Sequence, residues 1–378
     1  MNDRQRFLAT MQYKPRDRAP ICDFGFWPET ITAWHDQGLP LSVQGGHDTT
    51  TNQFFGMDVF TGGLSPDVGL NPFFEEKTLE DRGDTIVVQN ADGAAIVQAK
   101  DPTIISIPPH ESHLLTDRAS WTEHYKHRLD PDTPGRDPDW AAAQAIWNDP
   151  DYPAPRTLSG GSLYGWIRNW MGMEGVSYLV FDDPALFEEM VVTIADLIVE
   201  CHRRAFEHGA QIDACSMWED MCFNSGPLLS PDDFKKYLVP QYKRITEQLR
   251  SHGCNITFVD CDGCIDQLIP LWFEAGVNCM FPIEIGNWGA DPIRYRKQYG
   301  KDLLLLGGYD KHILAQSKKA IADEIDRLTP LVEEGGFIPF CDHRVPPDVP
   351  LTNYMFYLET AREKWGQGVN LKPMATLT

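Results

Sequence analysis

The chain has 378 residues, 42% of them hydrophobic and 11% aromatic, with a formal net charge of −22. This length exceeds that of one small domain and fits a single large α/β barrel with insertions, and the composition is typical of a soluble globular enzyme. The strong negative charge argues against a nucleic acid partner and against a polybasic contact with a membrane.

Signals for export or for a disulfide framework do not stand out in this sequence. No stretch approaches the roughly 18 consecutive apolar residues of a membrane span. Residues 1–20 lack an apolar core followed by a small-residue cleavage site, so they do not resemble a signal peptide. The nine cysteines are odd in number and irregular in spacing, unlike a secreted disulfide scaffold. We therefore expect a cytoplasmic protein.

The first part of the chain predicts one buried strand and then an insertion. Residues 19–27 indicate a buried strand that ends in aromatic side chains. Residues 85–98 contain two β-type runs around Asn-Ala-Asp-Gly, which predicts a β-hairpin. Residues 108–155 are rich in Pro, Asp, His and Trp and have weak periodicity. We interpret residues 71–155 as an insertion that decorates one barrel domain spanning residues 1–378.

After residue 157 the pattern becomes regular, with strands and amphipathic helices in alternation. The predicted strands are TLSGG, QIDACSMWED, NITFVDCDG, NCMFPIEIG, DLLLLGGYD and FIPFCDH. The helices between them include residues 183–209, which end at a glycine, and residues 230–253, which begin with a serine N-cap. Such alternation predicts a parallel sheet, and without a Gly-rich dinucleotide fingerprint it favours a (β/α)8 TIM barrel.

Acidic side chains follow several of these strands. The strand ends read Trp218-Glu219-Asp220, Asp260-Cys261-Asp262, Pro282-Ile283-Glu284, Gly307-Gly308-Tyr309-Asp310 and Cys341-Asp342-His343. Barrel enzymes place their chemistry at this rim, and Asp, Glu and His from different strands are typical of a divalent metal site. A single strand-end acid more often caps a helix or pairs with a cation, so the prediction depends on the whole group with His343.

Aromatic, cysteine and histidine residues offer further candidates. Trp27, Tyr164 and Trp166 follow strand ends and are candidate walls for a planar ligand, although part of their cluster can equally be core. The Cys261-Asp-Gly-Cys264 spacing is a weak zinc signal because no second pair completes it, and Cys261 can be an apolar filler or a ligand. His110 and His113 lie in a loop-like segment without HExxH spacing and are interpreted as surface histidines.

Three segments carry a resemblance to a known family. They are RQRFLATMQYKPRDRAPI, WEDMCFNSGPLLSPDDFKKYLVPQYKRI, and GGYDKHIL with GGFIPFCDHRVPPDVPLTNY. Together they resemble the uroporphyrinogen decarboxylase superfamily. The VDCDG and CDHRVPPDVP segments and the hairpin insertion are similar to its methyl-transferring branch, which includes the ether-cleaving components of corrinoid-dependent O-demethylases.

The resemblance also implies a ligand set. Coenzyme M methyltransferases of the superfamily hold zinc through His-x-Cys-Gly and a later Cys before Pro-Pro-Asp. The matching positions here are Asp260, Asp262 and His343, so carboxylates and an imidazole replace the family's ligands. Glu284 is added as a further ligand because it ends the intervening strand. Glu219 or Asp220 is expected to orient the substrate or to protonate the leaving oxygen.

These observations predict a zinc-dependent methyltransferase that demethylates a methyl ether, expected to be aromatic, and passes the methyl group to the cobalamin of a separate corrinoid protein. Part of the insertion is expected to shape the face that receives that partner, and the resemblance implies a homodimer. The alternative is a metal-free lyase of the decarboxylase type, although residues 22–34 lack the arginines with which that branch grips its substrate. A non-catalytic corrinoid-binding barrel is a third possibility, which the unpaired acids argue against.

Overall fold

The computed structural model describes residues 1–45, 49–101 and 108–375. Its strands are β1 Lys77–Asp81, β2 Thr85–Gln89, β3 Ala94–Ala99, β4 His110–His113, β5 Thr157–Ser159, β6 Ala214–Trp218, β7 Cys222–Phe223, β8 Gly226–Pro227, β9 Thr257–Asp260, β10 Cys279–Ile283, β11 Leu304–Tyr309 and β12 Phe337–Cys341. Its helices are α1 Asp3–Met11, α2 Pro28–His35, α3 Thr49–Phe55, α4 Arg118–Ser120, α5 Trp140–Asn148, α6 Gly165–Met171, α7 Met173–Asp182, α8 Pro184–Glu207, α9 Pro231–Asp233, α10 Val239–Ser251, α11 Ile269–Glu274, α12 Ile285–Trp288, α13 Pro292–Tyr299, α14 Lys318–Glu334 and α15 Leu351–Gly366.

Six parallel strands form the barrel wall in the order β5-β6-β9-β10-β11-β12. Two extended segments complete it. Residues 19–27 contact the far edge through a parallel bridge between Phe26 and Val345, and residues 57–62 bond to the near edge through the Thr157 amide and the Gly62 carbonyl, 2.8 Å apart. The (β/α)8 TIM barrel predicted from the alternating pattern is therefore confirmed.

Residues 19–27 form a looser strand than the sequence predicts. The Ile21 amide donates to the carboxylate of Asp58 at 2.9 Å instead of to a neighbouring strand. Asp58 is held in turn by the buried guanidinium groups of Arg6 and Arg18. This charged network takes up backbone donors that a regular ladder would use, so the segment is buried and extended but pairs only locally.

The core has two layers because strand residues alternate in direction. Leu304 and Leu306 of β11 pack inside the barrel, in a cluster that includes Phe258, Phe281 and Phe340. Leu305, between them, points outward into the larger cluster beneath the helices. The period of two thus lets one strand fill both layers.

Two predicted helix starts are confirmed by their caps. The Asp183 side chain accepts from the Leu186 amide at the start of α8, where Pro184 takes the first position. The Ser230 hydroxyl accepts from the Asp233 amide at the start of α9, which continues through a wide turn into α10. Both caps satisfy amides that the first helical turn leaves unpaired.

The predicted hairpin is present as β2 and β3, with Thr85 opposite Ala99. It forms the centre of a four-stranded antiparallel sheet in the order β1-β2-β3-β4. The two outer strands were not predicted, and every residue of β1 is exposed. The boundaries 71–155 of the insertion stay a prediction. Within the described ranges, no helix has the length and apolar character needed to cross a bilayer.

Candidate metal and active site

A cavity of about 1030 Å³ opens at the carboxyl ends of the barrel strands. Asp260 is the last residue of β9, Glu284 follows β10, Asp220 lies two residues after β6, and His343 lies two residues after β12. All four line the cavity, together with Phe24, Trp27, Arg168, Trp218, Cys222, Phe223, Asn224, Asp262, Gly263, Asn287, Lys311 and Arg344.

Three carboxylates form a compact group in this cavity. Asp220, Asp260 and Asp262 each offer one oxygen, and these oxygens lie within 4.8 Å of one another. Nε2 of His343 lies 3.1 Å from Oδ2 of Asp262, which joins the imidazole to the group. The other oxygen of Asp262, Oδ1, is buried without a hydrogen-bond partner in the described part of the chain.

The electrostatics of this group suit a divalent cation. Burial and the negative charge of Asp262 together raise the pKa of Asp220 to about 6. Burial and the neighbouring carboxylates also raise the pKa of Asp260 well above its usual range, and burial and Asp262 raise that of Glu284. A divalent ion would reduce the repulsion among these carboxylates and would give Oδ1 of Asp262 a partner. Carboxylate and imidazole groups are suitable ligands for such an ion.

The backbone brings these acids together through unusual local conformations. Asp220 adopts the left-handed region with φ of 38°. Gly263 has φ of 87°, and a Cβ there would lie 2.6 Å from the carbonyl oxygen of Cys222. Glycine is therefore required directly after Asp262. The Gly263 amide donates to Oε2 of Glu284 at 2.6 Å, and the Asp262 amide donates to Oδ1 of Asp220 at 3.1 Å.

Glu284 lies in the cavity wall beside the compact group rather than within it. Its Oε1 accepts from the side-chain amide of Asn287, while Oε2 accepts from Gly263. Each carboxylate oxygen can accept more than one interaction, so Glu284 can still contact an ion through a remaining lone pair. Its role as a ligand stays a prediction.

Glu219 does not line the cavity, and its carboxylate holds neighbouring segments together. It is fully buried, and Oε1 accepts from the Leu163 amide and the Tyr242 hydroxyl at 2.8 and 2.5 Å. Oε2 accepts from the Ser162 hydroxyl and from the amides of Tyr164 and Gly165. Four of these five donors fix the start of α6 to the end of β6, and the Tyr242 hydroxyl adds a contact from α10. Asp220 lines the cavity and Glu219 does not, and the catalytic roles predicted for them stay predictions.

The three predicted aromatic residues lie in three different places. Trp27 lines the cavity, and its ring centroid is 5.5 Å from that of His343. Trp166 lines a smaller adjoining cavity of about 210 Å³, which shares Trp218 and Asp260 with the first. Tyr164 is buried in the core, where burial raises its pKa to about 12. Among the three, only Trp27 is placed to contact a ligand beside the acidic group.

The cysteine pair and the histidine pair do not join the acidic group. Cys261 is buried, its sulfur accepts from the Met221 amide at 3.3 Å, and burial raises its thiol pKa. Cys264 does not line the cavity. His110 and His113 lie on β4, with Nδ1 of the first 2.9 Å from Nε2 of the second. Neither of these two pairs therefore adds a ligand to the acidic group.

Three cations of the cavity were missed by the sequence analysis. Nζ of Lys311 lies 3.3 Å from the fully buried carboxylate of Asp342. Arg168 of α6 donates to the Asp220 carbonyl, and its guanidinium lies 5.4 Å from the ring centre of Trp218. Arg344 follows His343 directly. Position beside a strand-end acid or histidine would have signalled Lys311 and Arg344, whereas nothing comparable marks Arg168.

Comparison with known proteins places this chain in a family. The family model described as uroporphyrinogen decarboxylase (URO-D) matches residues 168–364. The uroporphyrinogen decarboxylase of Trichormus variabilis is 25% identical over 217 residues, 56% of this chain and 57% of that protein. That of Nostoc sp. (strain PCC 7120) is 24% identical over the same length and shares. The chain thus spans little more than half the length of the curated relatives it matches.

A solved structure supports the fold over nearly the whole chain. The methyltransferase from Methanosarcina mazei superposes with a TM-score of 0.59 at 13% sequence identity, covering 96% of this chain and 99% of that one. At this identity the likeness establishes the barrel fold alone. The family model, in contrast, covers slightly more than half of the sequence. The chain therefore belongs to the uroporphyrinogen decarboxylase family.

Proposed function

We propose that this protein is a metal-dependent methyltransferase, which demethylates an aromatic methyl ether and transfers the methyl group to the cobalt(I) of a separate corrinoid protein. The observation that carries the proposal is the compact group of Asp220, Asp260 and Asp262 with His343 beside it. The unpaired oxygen of Asp262 and the raised pKa values of the neighbouring carboxylates are both features expected of side chains that bind a divalent ion. The structural neighbour of the same fold is itself a methyltransferase.

The residues that would hold the ion are Asp260, Asp262 and His343, with Glu284 at the edge of the site. We propose zinc, for which oxygen and imidazole ligands leave more positive charge on the metal than thiolates would. When bound, zinc supplies Lewis acidity that stabilises negative charge developing on an ether oxygen, by several kcal/mol.

Trp27 and Asp220 have the remaining roles, which are to bind the substrate and to protonate the leaving oxygen. Trp27 packs against the aromatic ring and excludes water from one side of the cavity. As the methyl carbon passes to the partner's cobalt(I), which contributes the two electrons of the new bond, the electron pair of the C–O bond stays on the oxygen. The Asp220 carboxyl then delivers a proton to that oxygen, so the demethylated alcohol or phenol leaves neutral.

The alternative is a metal-free lyase acting on another substrate, since the curated relatives are decarboxylases. Uroporphyrinogen itself is a poor candidate, because its many carboxylates would meet four acidic side chains in the cavity and a strongly acidic protein. A lyase of this type predicts no bound metal and retained activity in His343→Ala.

The metal content of the purified protein tests the proposal, measured by elemental analysis without exposure to chelators. We expect about one zinc per chain, as in other catalytic zinc sites, and its loss in Asp262→Ala/His343→Ala. The matched control is Asp232→Ala/His127→Ala, in which both substituted side chains are exposed. Methyl transfer from methoxyarenes to cob(I)alamin should be lost in the first double variant and kept in the control. A metal-free unmutated protein would instead favour the lyase.

A further inference from the structure

The side chain of Arg344 differs from the other cations of the cavity because it has no hydrogen-bond or ion-pair partner among the described residues. Lys311 donates to the Asp342 carboxylate, and Arg168 donates to the backbone carbonyl of Asp220 and to the side-chain oxygen of Asn169. Within residues 1–45, 49–101 and 108–375, Arg344 makes neither a hydrogen bond nor an ion pair shorter than 4.0 Å. A guanidinium carries five N–H donors that normally find acceptors, so these donors are available to a ligand in the cavity.

Aromatic rings fix the place of this guanidinium. Its carbon lies 5.4 Å from the ring centre of Trp27 and 6.0 Å from that of Phe24. Cation–π contacts of this kind hold the guanidinium against the wall, and its N–H groups suit two-point recognition of a planar anion. The His343 ring lies 5.1 Å from the Phe24 ring, so the same wall leads to the acidic group.

Compensation of the acidic group is the simplest competing role for Arg344. Its positive charge does lower the pKa of Asp260, although burial and the nearby carboxylates outweigh that effect. Yet no carboxylate of the described residues pairs with it at ion-pair distance, while Asp220, Asp262 and Glu284 line the same cavity. A side chain kept only as a counter-charge would gain most by direct pairing, which the observed position of Arg344 over the aromatic rings forgoes.

We propose that Arg344 binds a carboxylate on the substrate and so selects aromatic methyl ethers that carry one, an inference that rests on the proposed function. With the ring against Trp27, the carboxylate would meet the guanidinium through two parallel hydrogen bonds while the methoxy group faces the acidic group. A protein of net charge −22 attracts no anion by its overall field, so selection of an anionic substrate has to come from a local cation.

Equilibrium binding tests this assignment without any methyl transfer. The three isomers of methoxybenzoate and the corresponding neutral methoxybenzamides would be titrated by calorimetry into zinc-loaded protein with no corrinoid present. We expect at least one benzoate to bind about tenfold or more tightly than its amide. Arg344→Gln should remove that preference and leave amide affinity within about threefold, and Arg344→Lys should restore part of it. The matched control is Arg244→Gln, an exposed arginine paired with Asp196.

Several outcomes would overturn the assignment. Equal binding of acid and amide by the unmutated protein, or no binding of either, removes the carboxylate site. Equal weakening of both ligands in Arg344→Gln means that the arginine only supports Trp27. Loss of zinc with the preference intact makes it a counter-charge for the acids. Arg344-dependent benzoate binding without methyl transfer to cob(I)alamin would instead reject the proposed reaction and leave the carboxylate site standing.

Discussion

Glu219 and Asp220 are consecutive acids with opposite environments. The Glu219 carboxylate receives five hydrogen bonds and is fully buried, so it has no free position from which to meet a substrate. Asp220 turns into the cavity through a left-handed backbone conformation and joins the compact acidic group. One residue therefore secures the loop that positions the other.

This difference predicts separate effects of two conservative substitutions. Glu219→Gln sets an amide NH2 against hydroxyl and amide donors, so we expect the free energy of unfolding to fall by about 3 kcal/mol, with zinc still bound. Asp220→Asn removes a carboxylate from a mutually repelling group, so stability should not fall, but methyl transfer should drop by about 100-fold or more because the leaving oxygen loses its proton donor. Urea denaturation, zinc content and steady-state rates measure the three effects.

The reverse pattern would show that the assignment of the two acids is wrong. If Glu219→Gln keeps its stability and loses turnover, the catalytic role belongs to Glu219, as the sequence left open. If Asp220→Asn loses its zinc, Asp220 is a ligand rather than a proton donor. Asp232→Asn, an exposed acid at the start of α9, is the matched control for both substitutions.

Much of the candidate site could be predicted from strand ends, because parallel strands deliver their last residues to one rim. That rule brought Asp220, Asp260, Asp262, Glu284 and His343 to one cavity. It did not separate Glu219 from them, because burial and hydrogen-bond donors come from segments distant in the chain. The five hydrogen bonds to Glu219 and the cation–π contacts of Arg344 depend on the tertiary structure, and no pattern along the sequence indicates them.

At the scale of elements, α8 is joined to β5 by a buried histidine. Nε2 of His202 lies 2.8 Å from the carbonyl oxygen of Ser159 and must donate to it, while Nδ1 is buried without a partner in the described part of the chain. This arrangement requires the neutral ring. Burial lowers the pKa of His202 to about 4, despite the hydrogen bond to Ser159.

The lowered pKa predicts acid sensitivity of this contact. The unfolded chain takes up a proton on His202 near pH 6.5, whereas the folded protein does so only near its pKa of about 4. The contribution to stability is therefore complete above pH ~6.5 and is lost as the pH falls toward 4. Between about pH 7.5 and about pH 5 the loss should be about 2 kcal/mol. Urea denaturation at both values measures it, and His202→Gln should lack this part of the pH dependence.

A substitution of an exposed histidine provides the comparison. His127→Gln should keep the full pH dependence of the unmutated protein, because its side chain is exposed. If His202→Gln and the unmutated protein lose stability in parallel as the pH falls, the ring is not held neutral by the α8–β5 contact. Only the difference between variants is diagnostic, since buried acids such as Asp23, with a pKa raised by burial to about 6, act in the opposite direction.

The elements that could best be predicted from the sequence were those with a strong pattern of apolar residues. Helices α8 and α14 and strands β9 to β12 have continuous apolar faces or runs, so their existence follows from sequence. Strand β1 carries no such signal, because its five residues are all exposed and its pairing comes from the neighbouring hairpin. The looseness of residues 19–27 depends on Asp58, more than thirty residues away, and so lies beyond any local pattern.

At the scale of the whole molecule, the acidic group and His343 bring together strand ends from separate parts of the barrel sheet. Asp220 follows β6 and Asp260 ends β9, which are neighbours in the sheet, but His343 follows β12, three strands beyond β9. An ion held by these residues would bridge the mouth of the barrel. It would also remove the repulsion among carboxylates in a protein that already carries a net charge of −22.

Zinc should therefore stabilise the entire fold. The ion binds the assembled site and not the dispersed ligands of the unfolded chain, so free zinc at about 100 times its dissociation constant should raise the free energy of unfolding by about 2.7 kcal/mol. Thermal unfolding of chelator-treated protein, titrated with zinc, measures this as a rise in Tm that grows with zinc concentration. The Asp262→Ala/His343→Ala variant should show no such rise in Tm, because it lacks two of the proposed zinc ligands.

The two histidines of β4 are the main rival source of a zinc effect. Their facing nitrogens could bind the ion at the edge of the insertion, far from the acidic group in sequence, and stabilise only that sheet. His110→Ala/His113→Ala should therefore keep the full rise in Tm if the barrel mouth is the site. Loss of the rise in this variant, with the rise intact in Asp262→Ala/His343→Ala, would move the metal from the barrel to the insertion. The carboxylates would then be left as groups for proton transfer, which is the chemistry of a lyase rather than of a zinc methyltransferase.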